Sequence, residues 1–117
     1  MTLALLAGVG AAGGVGAVAR FALDAAVAAR ADTDFPVGTL VVNVSGALAL
    51  GVLVGVGVDG DAYRIVATGA IGAYTTFSTW MFESQRLGED GELRLGALNI
   101  AISLIAGIAA VWLGRSL

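Results

Sequence analysis

The sequence predicts an all-α membrane protein: a single four-helix transmembrane unit over residues 1–117, with a break in helix 3. Three observations carry the membrane assignment. First, 58% of the residues are hydrophobic and 18 of the 117 are glycine, whereas apolar residues and glycine together make up roughly 45–50% of ordinary soluble domains. Mean hydropathy is +0.92. A small globule has more surface than core, so folding alone cannot hide this much apolar area from water. Second, the charges are Asp, Glu and Arg only, and they cluster between long uncharged runs instead of spreading along helix faces. Third, there are four such runs, Leu3–Ala19, Pro36–Val58, Ile65–Phe82 and Leu95–Gly114, of 17, 23, 18 and 20 residues. Each is near the roughly 20 residues that cross about 30 Å of hydrocarbon.

Helix 1 is expected to continue past Arg20 and Asp24 to about Ala29, because residues 21–29 stay apolar and alanine-rich. Its start lacks the basic region of a signal peptide, so it reads as a retained span. Pro36, the only proline, suits the first turn of helix 2, where its missing N–H is an orphan anyway. Asp59-Gly60-Asp61 is expected to be a tight turn, and residues 88–92 a polar loop after helix 3. Within helix 3, Gly69 and Gly72 precede Thr75, Thr76, Ser78 and Thr79. Glycine is flexible and hydroxyls compete for backbone carbonyls, which predicts the break. Unwound backbone at membrane depth is tolerated only in protein or beside a cavity, and its carbonyls can then hold a cation. A continuous Ser/Thr-rich helix with aromatic packing is the alternative.

With four spans, both termini share a side with residues 59–61. Arg64 and Arg115 then lie on one side and Arg30, Arg86 and Arg94 on the other, almost no positive-inside bias. So weak a signal fits insertion in both orientations as well as a single fixed topology. Four short helices enclose little water-filled path, so an oligomer is expected.

The composition also removes chemistries. No Cys means no disulfide and no thiol catalysis, and no His removes the commonest metal ligand and general base. A net charge of −3 without a basic cluster supplies no footprint for nucleic acid. No enzymatic activity is expected. Gly8-Val9-Gly10-Ala11-Ala12-Gly13 spells a dinucleotide fingerprint, yet no strand-and-helix alternation surrounds it. Gly10/Gly14 and Gly51/Gly55 are instead expected to bring helices close together.

Polar residues within the spans are the candidate functional set. Arg20, costly near a bilayer centre, either faces a cavity and attracts an anion or snorkels or pairs with Asp24 one turn on. Helix 2 carries Thr39, Asn43 and Ser45; the Asn43 amide either presents donors to an anion or joins helices by hydrogen bonds. Phe77 and Trp80 share a face, and aromatic edges carry partial positive charge. Asn99 and Ser103 share a face of helix 4, as a polar ladder or as helix glue.

Three blocks, in order, resemble the CrcB/Fluc fluoride channels: residues 13–21, the stretch Pro36-Val37-Gly38-Thr39-Leu40-Val41-Val42-Asn43-Val44-Ser45-Gly46 running to Gly51, and Gly72-Ala73-Tyr74-Thr75-Thr76-Phe77-Ser78-Thr79 running to Glu83. The resemblance covers essentially the whole chain. It implies a dual-topology antiparallel dimer with two narrow fluoride pathways, a structural sodium ion at its centre and passive export of cytoplasmic fluoride, in the cell (plasma) membrane of a prokaryote, as a multi-pass protein. By the same resemblance Asn43 is the fluoride-contacting asparagine, Phe77 the first ring of the family's phenylalanine pair, and Ser78 and Thr79 pore hydroxyls. Arg20 matches the helix-1 arginine, Ser103 a polar-track serine and Glu83 the acidic residue closing the signature, while Thr39 joins the candidate fluoride pathway. Carbonyls of Gly72 and Thr75 would hold the sodium. Trp80 replaces the second phenylalanine, Asn99 a frequent tyrosine and Met81 a common serine. Partners implied are fluoride, sodium, the lipid bilayer and a second subunit, either a copy of this chain or a paired homologue. The runner-up function is a small dual-topology, proton-coupled exporter of cationic compounds. That class needs a carboxylate midway along helix 1, where this chain offers only Asp24 near the end. A non-transporting assembly subunit is the third.

Overall fold

The computed structural model describes residues 2–117. The described residues are helical apart from short connections: α1 (Leu3–Arg30), α2 (Val37–Gly55), α3 (Gly60–Tyr63), a π-helical segment (Arg64–Ile71), α4 (Gly72–Tyr74), α5 (Phe77–Glu89) and α6 (Leu93–Ser116). Three of them, α1, α2 and α6, are long and apolar enough to cross a membrane. The third uncharged run of the sequence is divided between two helical stretches, the first of which begins ahead of the run at Gly60. The chain rises through α3, the π-helical segment and α4, passes through extended backbone at Thr75 and Thr76, and restarts as α5.

Local sequence accounts for the ends. Thr2 caps α1 by accepting the Leu5 N–H at 3.1 Å, and α1 runs on to Arg30, past both mid-helix charges as expected. Pro36 sits one position before the first turn of α2, as its N-cap. The α2 terminus closes in a Schellman motif: Val58 N–H donates to Leu53 C=O and Gly57 N–H to Val54 C=O, with Gly57 at φ +80°. The expected turn at residues 59–61 thus lies two to three residues earlier, and Asp59 is the N-cap of α3. The α5 terminus repeats the motif, with Glu92 N–H on Leu87 C=O and Gly91 at φ +82°, so α5 extends to Glu89, into the expected loop.

The π-helical segment was not expected. Its wider turn closes with Gly72 N–H on Ala67 C=O, a rare geometry that shifts the rotational phase of everything after it. Along it, α1 lies so close that a Cβ at Gly16 would collide with the Ala70 carbonyl, and one at Gly69 would come within 2.8 Å of the Val9 carbonyl.

The most extensive helix pair is α2 with α6. A Cβ at Gly51 would strike the Val111 carbonyl, and one at Gly114 the Leu48 carbonyl. Gly51/Gly55 therefore packs as the sequence indicates. Gly10/Gly14 does not: a Cβ at either meets nothing within 4 Å, because α1 turns Gly13 and Gly16, not these two, toward its neighbour. The α5 helix packs on α6, where a Cβ at Gly96 would lie 2.7 Å from the Ser84 carbonyl. Much of the remaining surface is apolar, with Val15, Phe21, Ile105 and Ile108 each about 70% exposed, as a lipid-facing exterior requires.

The close approach of α2 and α6 makes a clear prediction for stability. Gly51→Ala forces backbone against backbone and is expected to cost roughly 1–3 kcal/mol, as other overpacked cores do. Gly107→Ala, on α6 with nothing within 4 Å of its Cβ position, is expected to hold or raise stability by up to about 1 kcal/mol. Thermal unfolding in detergent checks the contrast.

Candidate functional site: an interrupted helix beside an open groove

The site is built around Thr75 and Thr76. Thr75 adopts φ −79°, ψ 158° and Thr76 φ −146°, ψ 121°, both ordinary extended backbone. Two peptide units leave the helical ladder there and need partners outside it. Asn43 of α2 takes up the loss. Its Nδ2 donates to the Thr76 carbonyl at 2.9 Å, and its Oδ1 accepts the Thr76 N–H at 2.8 Å. The Thr76 hydroxyl then caps α5, accepting the Thr79 N–H at 3.2 Å, and donates to Thr79 Oγ1 at 3.2 Å. Below, Thr75 Oγ1 donates to Ile71 C=O at 3.1 Å, and Ser45 Oγ meets Tyr74 OH at 2.7 Å. Gly46 admits this turn to α2: a Cβ there would collide with the Thr75 methyl.

The interruption leaves the carbonyls of Gly72, Ala73, Tyr74 and Thr75 without their helical donors, and two of the amides that would have closed them are bonded elsewhere. Thr76 N–H would close Gly72 C=O in an unbroken helix, but it donates to Asn43. Thr79 N–H would close Thr75 C=O, but it donates to Thr76 Oγ1.

Beside the interruption lies an open, mostly apolar groove of about 660 Å³. Asn43, Thr76, Phe77, Trp80, Ser103 and Arg115 are among its lining residues. One Nδ2 hydrogen of Asn43 is committed to Thr76, and the other has no protein partner among the described residues. Phe77 is 70% exposed, and its ring stands nearly perpendicular to that of Trp80, at 85° with centroids 5.6 Å apart. Ser78 is exposed, its hydroxyl 3.4 Å from that of Thr76. On the other side, Thr79 lines a second cavity of about 590 Å³ with Asp24, Asp34, Glu83, Arg86, Asp90 and Glu92. The Thr76–Thr79 hydroxyl pair therefore stands between the two spaces.

Thr39, 2% exposed, and Glu83 each bury a side-chain oxygen with no hydrogen-bond partner within standard geometry. Arg20 is half-buried, makes no ion pair with Asp24 and lines neither space. Asp24 instead packs against Gly38 at the start of α2. No group of three acidic side chains among the described residues is placed to hold a metal ion.

Asn99 and Ser103 stand differently from one another. Ser103 lines the groove, whereas Asn99 is 1% exposed and bonded inward, donating through Nδ2 to Ser84 Oγ at 2.8 Å. That makes Asn99 a link between helices. Ser84 is the residue that inspection of the sequence passes over. Its signal was its place one turn after Trp80, on the face α5 turns to α6.

A family model described as CrcB-like protein, Camphor Resistance (CrcB), matches residues 7–115. The chain belongs to the CrcB family. Among relatives in this family is Fluoride-specific ion channel FluC 2 of Mycolicibacterium paratuberculosis, 52% identical over 116 residues that cover 99% of this chain and 95% of the relative. The protein of that name from Mycobacterium tuberculosis is 49% identical over 98% of this chain and 91% of its own length. A Symbiobacterium thermophilum relative, also named Fluoride-specific ion channel FluC 2, is 44% identical over 96% and 95%. With the family shown and three helices of membrane-spanning length and hydropathy, this CrcB chain is a multi-pass membrane protein.

The reciprocal bond between Asn43 and Thr76 gives this CrcB chain a measurable signature. Asn43→Ala leaves a partly buried N–H and C=O of Thr76 without their partners and is expected to cost about 1–3 kcal/mol. Asn43→Asp keeps the acceptor for Thr76 N–H, loses the donor and is expected to fall between the two in thermal stability.

Proposed function

We propose that this chain is a subunit of a fluoride-selective channel that lets fluoride leave the cell passively and so reduces its toxicity. The observation that carries this reading is the groove at the interrupted helix, which Asn43 with an uncommitted amide N–H, Thr76, Ser103 and the exposed Phe77 ring line together, with Ser78 and Thr79 joined to it through the Thr76 hydroxyl. It is supported by the relatives, named fluoride-specific ion channels over nearly their whole lengths.

A small anion entering a pore must exchange its hydration shell for protein donors. Neutral donors suit the exchange, because they replace water without holding the ion as a fixed positive charge would. The amide and hydroxyls supply hydrogen bonds, and a ring edge supplies a weaker positive contact. From the groove, the ion would pass the Thr76–Thr79 hydroxyl pair to the second cavity, with Thr39 buried behind its wall beside Glu83. Arg20, away from both spaces in the single chain, would act at a distance. Ser103 and Trp80 complete the groove wall.

A dual-topology, antiparallel dimer fits the open side of the groove, which one chain does not enclose, and the near-even distribution of arginines across the two sides. The second subunit is a copy of this chain or a paired homologue, the numbering of relatives as FluC 1 and FluC 2 being consistent with the latter. A structural sodium ion fits the donors at the interruption: Gly72 and Thr75 each offer a carbonyl without its helical amide, and neutral oxygens suit a hard cation. Two copies meeting there would present four such oxygens. Bound sodium would add fixed positive charge beside an anion route.

Liposomes reconstituted with the purified protein and loaded with fluoride are expected to release it rapidly, and to retain chloride in the control. Phe77→Ile is expected to slow fluoride release by at least about tenfold, a loss of about 1.4 kcal/mol in the barrier. A folded protein that releases no fluoride removes the proposal. Exchanging all sodium for a large organic cation, with dialysis, is expected to lower both the thermal midpoint and the flux, and restoring sodium to recover them. Equal stability and flux in both media would exclude the ion.

A further inference from the structure

Trp80 lies within a closed ring of hydrogen bonds that no requirement of the pathway explains. Its indole Nε1–H donates to the backbone carbonyl of Asn99 at 3.2 Å. Asn99 Nδ2 donates to Ser84 Oγ at 2.8 Å, and Ser84 Oγ donates to the Trp80 carbonyl at 2.9 Å. The circuit leaves Trp80 by its side chain, crosses to α6, and comes back to Trp80 by its main chain. Asn99 is 1% and Ser84 6% exposed, so water competes little for the bond between them, while the two bonds of Trp80 are partly buried. Ser103 Oγ, at 3.4 Å from Asn99 Oδ1, extends the ring weakly toward the groove.

We infer that Trp80 is a positioning residue for Phe77: tied by its indole N–H to the α6 backbone, it fixes the ring of Phe77, and thereby the width and selectivity of the groove at the interruption. The reasons are geometric. Phe77 is the first residue of α5, 70% exposed and without a polar group of its own to orient it. Its recorded ring contact is the perpendicular one with Trp80, a geometry in which edge and face attract. A ring so exposed is held no better than the ring it leans on. Trp80 is anchored at both ends, and its second anchor is a main-chain carbonyl, which no change of side chain at position 99 removes. The Ser84 and Asn99 side chains then keep α5 and α6 at the spacing this bond needs. A phenylalanine at position 80 would keep the aromatic contact but lose the N–H and with it the tie to α6. Trp80, Ser84 and Asn99 thus form one set, and substitutions within it are expected to be strongly non-additive.

This inference rests on the fluoride-channel proposal, and its test is arranged so that the two fail separately. Fluoride and chloride efflux are measured for the wild type, Trp80→Phe, Phe77→Ile and the double variant. Trp80→Phe is expected to lower the ratio of fluoride to chloride efflux by about tenfold, and to have no further effect in the Phe77→Ile background, since residues acting through one another couple. A merely structural role would scale both anions with the amount of folded protein and leave the ratio unchanged. An unchanged ratio, or effects that multiply independently, overturns the assignment. Hydrogen–deuterium exchange of the indole N–H, followed by NMR and assigned by the signal missing in Trp80→Phe, is read whether or not the protein conducts. The Trp80 N–H is expected to exchange at least about a hundredfold more slowly than a free indole, as a group hydrogen-bonded within the fold does. Fast exchange overturns the tie to α6, whereas a protected N–H in a protein that passes no fluoride overturns the channel function and leaves the tie standing.

Discussion

One side chain makes the interruption affordable. Unpaired backbone in hydrocarbon costs several kcal/mol for each group, so a helix does not open there unless something takes the place of the lost ladder. Asn43 is matched to that task, because a primary amide carries a donor and an acceptor at the spacing of a peptide unit. Facing Thr76, it acts as a short stretch of adjacent strand. The consequence reaches further than the bond itself. By taking the Thr76 N–H it frees the Gly72 carbonyl, and by holding Thr76 extended it aims the Thr76 hydroxyl at Thr79 and frees the Thr75 carbonyl. The same amide keeps one hydrogen at the edge of the groove. Support of the backbone and presentation of a donor are therefore two uses of one group, and a substitution at position 43 touches both.

That bond needs α2 at a fixed height and distance, which the glycines provide. Gly51, Gly55 and Gly114 let α2 and α6 touch backbone to backbone, while Gly46 lets α2 touch the turn at Thr75. In a bilayer there is little hydrophobic drive between helices, so close van der Waals contact of this kind carries the association. The same arrangement on the other flank, where Gly16 and Gly69 bring α1 against the π-helical segment, fixes the strand of chain that leads into the interruption. The functional surface is polar and sparse, but the frame that positions it is almost wholly glycine and carbonyl.

This division explains what could be read from the sequence. Apolar runs and their lengths mark α1, α2 and α6 directly, because the solvent that selects them is uniform and the length it demands is fixed. The continuation of α1 through Arg20 and Asp24 was legible in its alanines. Pairings were not. Gly10/Gly14 and Gly51/Gly55 have the same spacing, yet only the second pair meets a partner within the chain, since spacing along one helix says nothing of which face its neighbour occupies. The π-helical segment was not legible either: Arg64–Ile71 contains Gly69, but a glycine marks a weak point in a helix without saying that the turn widens there. Asn99 and Ser103 share a helix face, but only Ser84, on another element, decides that Asn99 turns inward.

Charge around the second cavity bears on how an anion could be selected. Asp24, Asp34, Glu83, Asp90 and Glu92 line it against the single cation Arg86, within a chain of net charge −3. Such a mouth repels every anion at long range, to the extent that salt, with a screening length of about 8 Å under physiological conditions, permits. Long-range attraction therefore does not select fluoride on the route proposed above, and short-range donors must. Repulsion by a fixed field depends on charge alone and falls equally on fluoride and chloride. The return from amide and hydroxyl donors depends on how closely they approach, and so favours the smaller ion. A uniformly unfavourable field combined with closely spaced neutral donors is thus a discriminating arrangement: it raises the barrier for both anions and lowers it again only for the one small enough to draw the donors in.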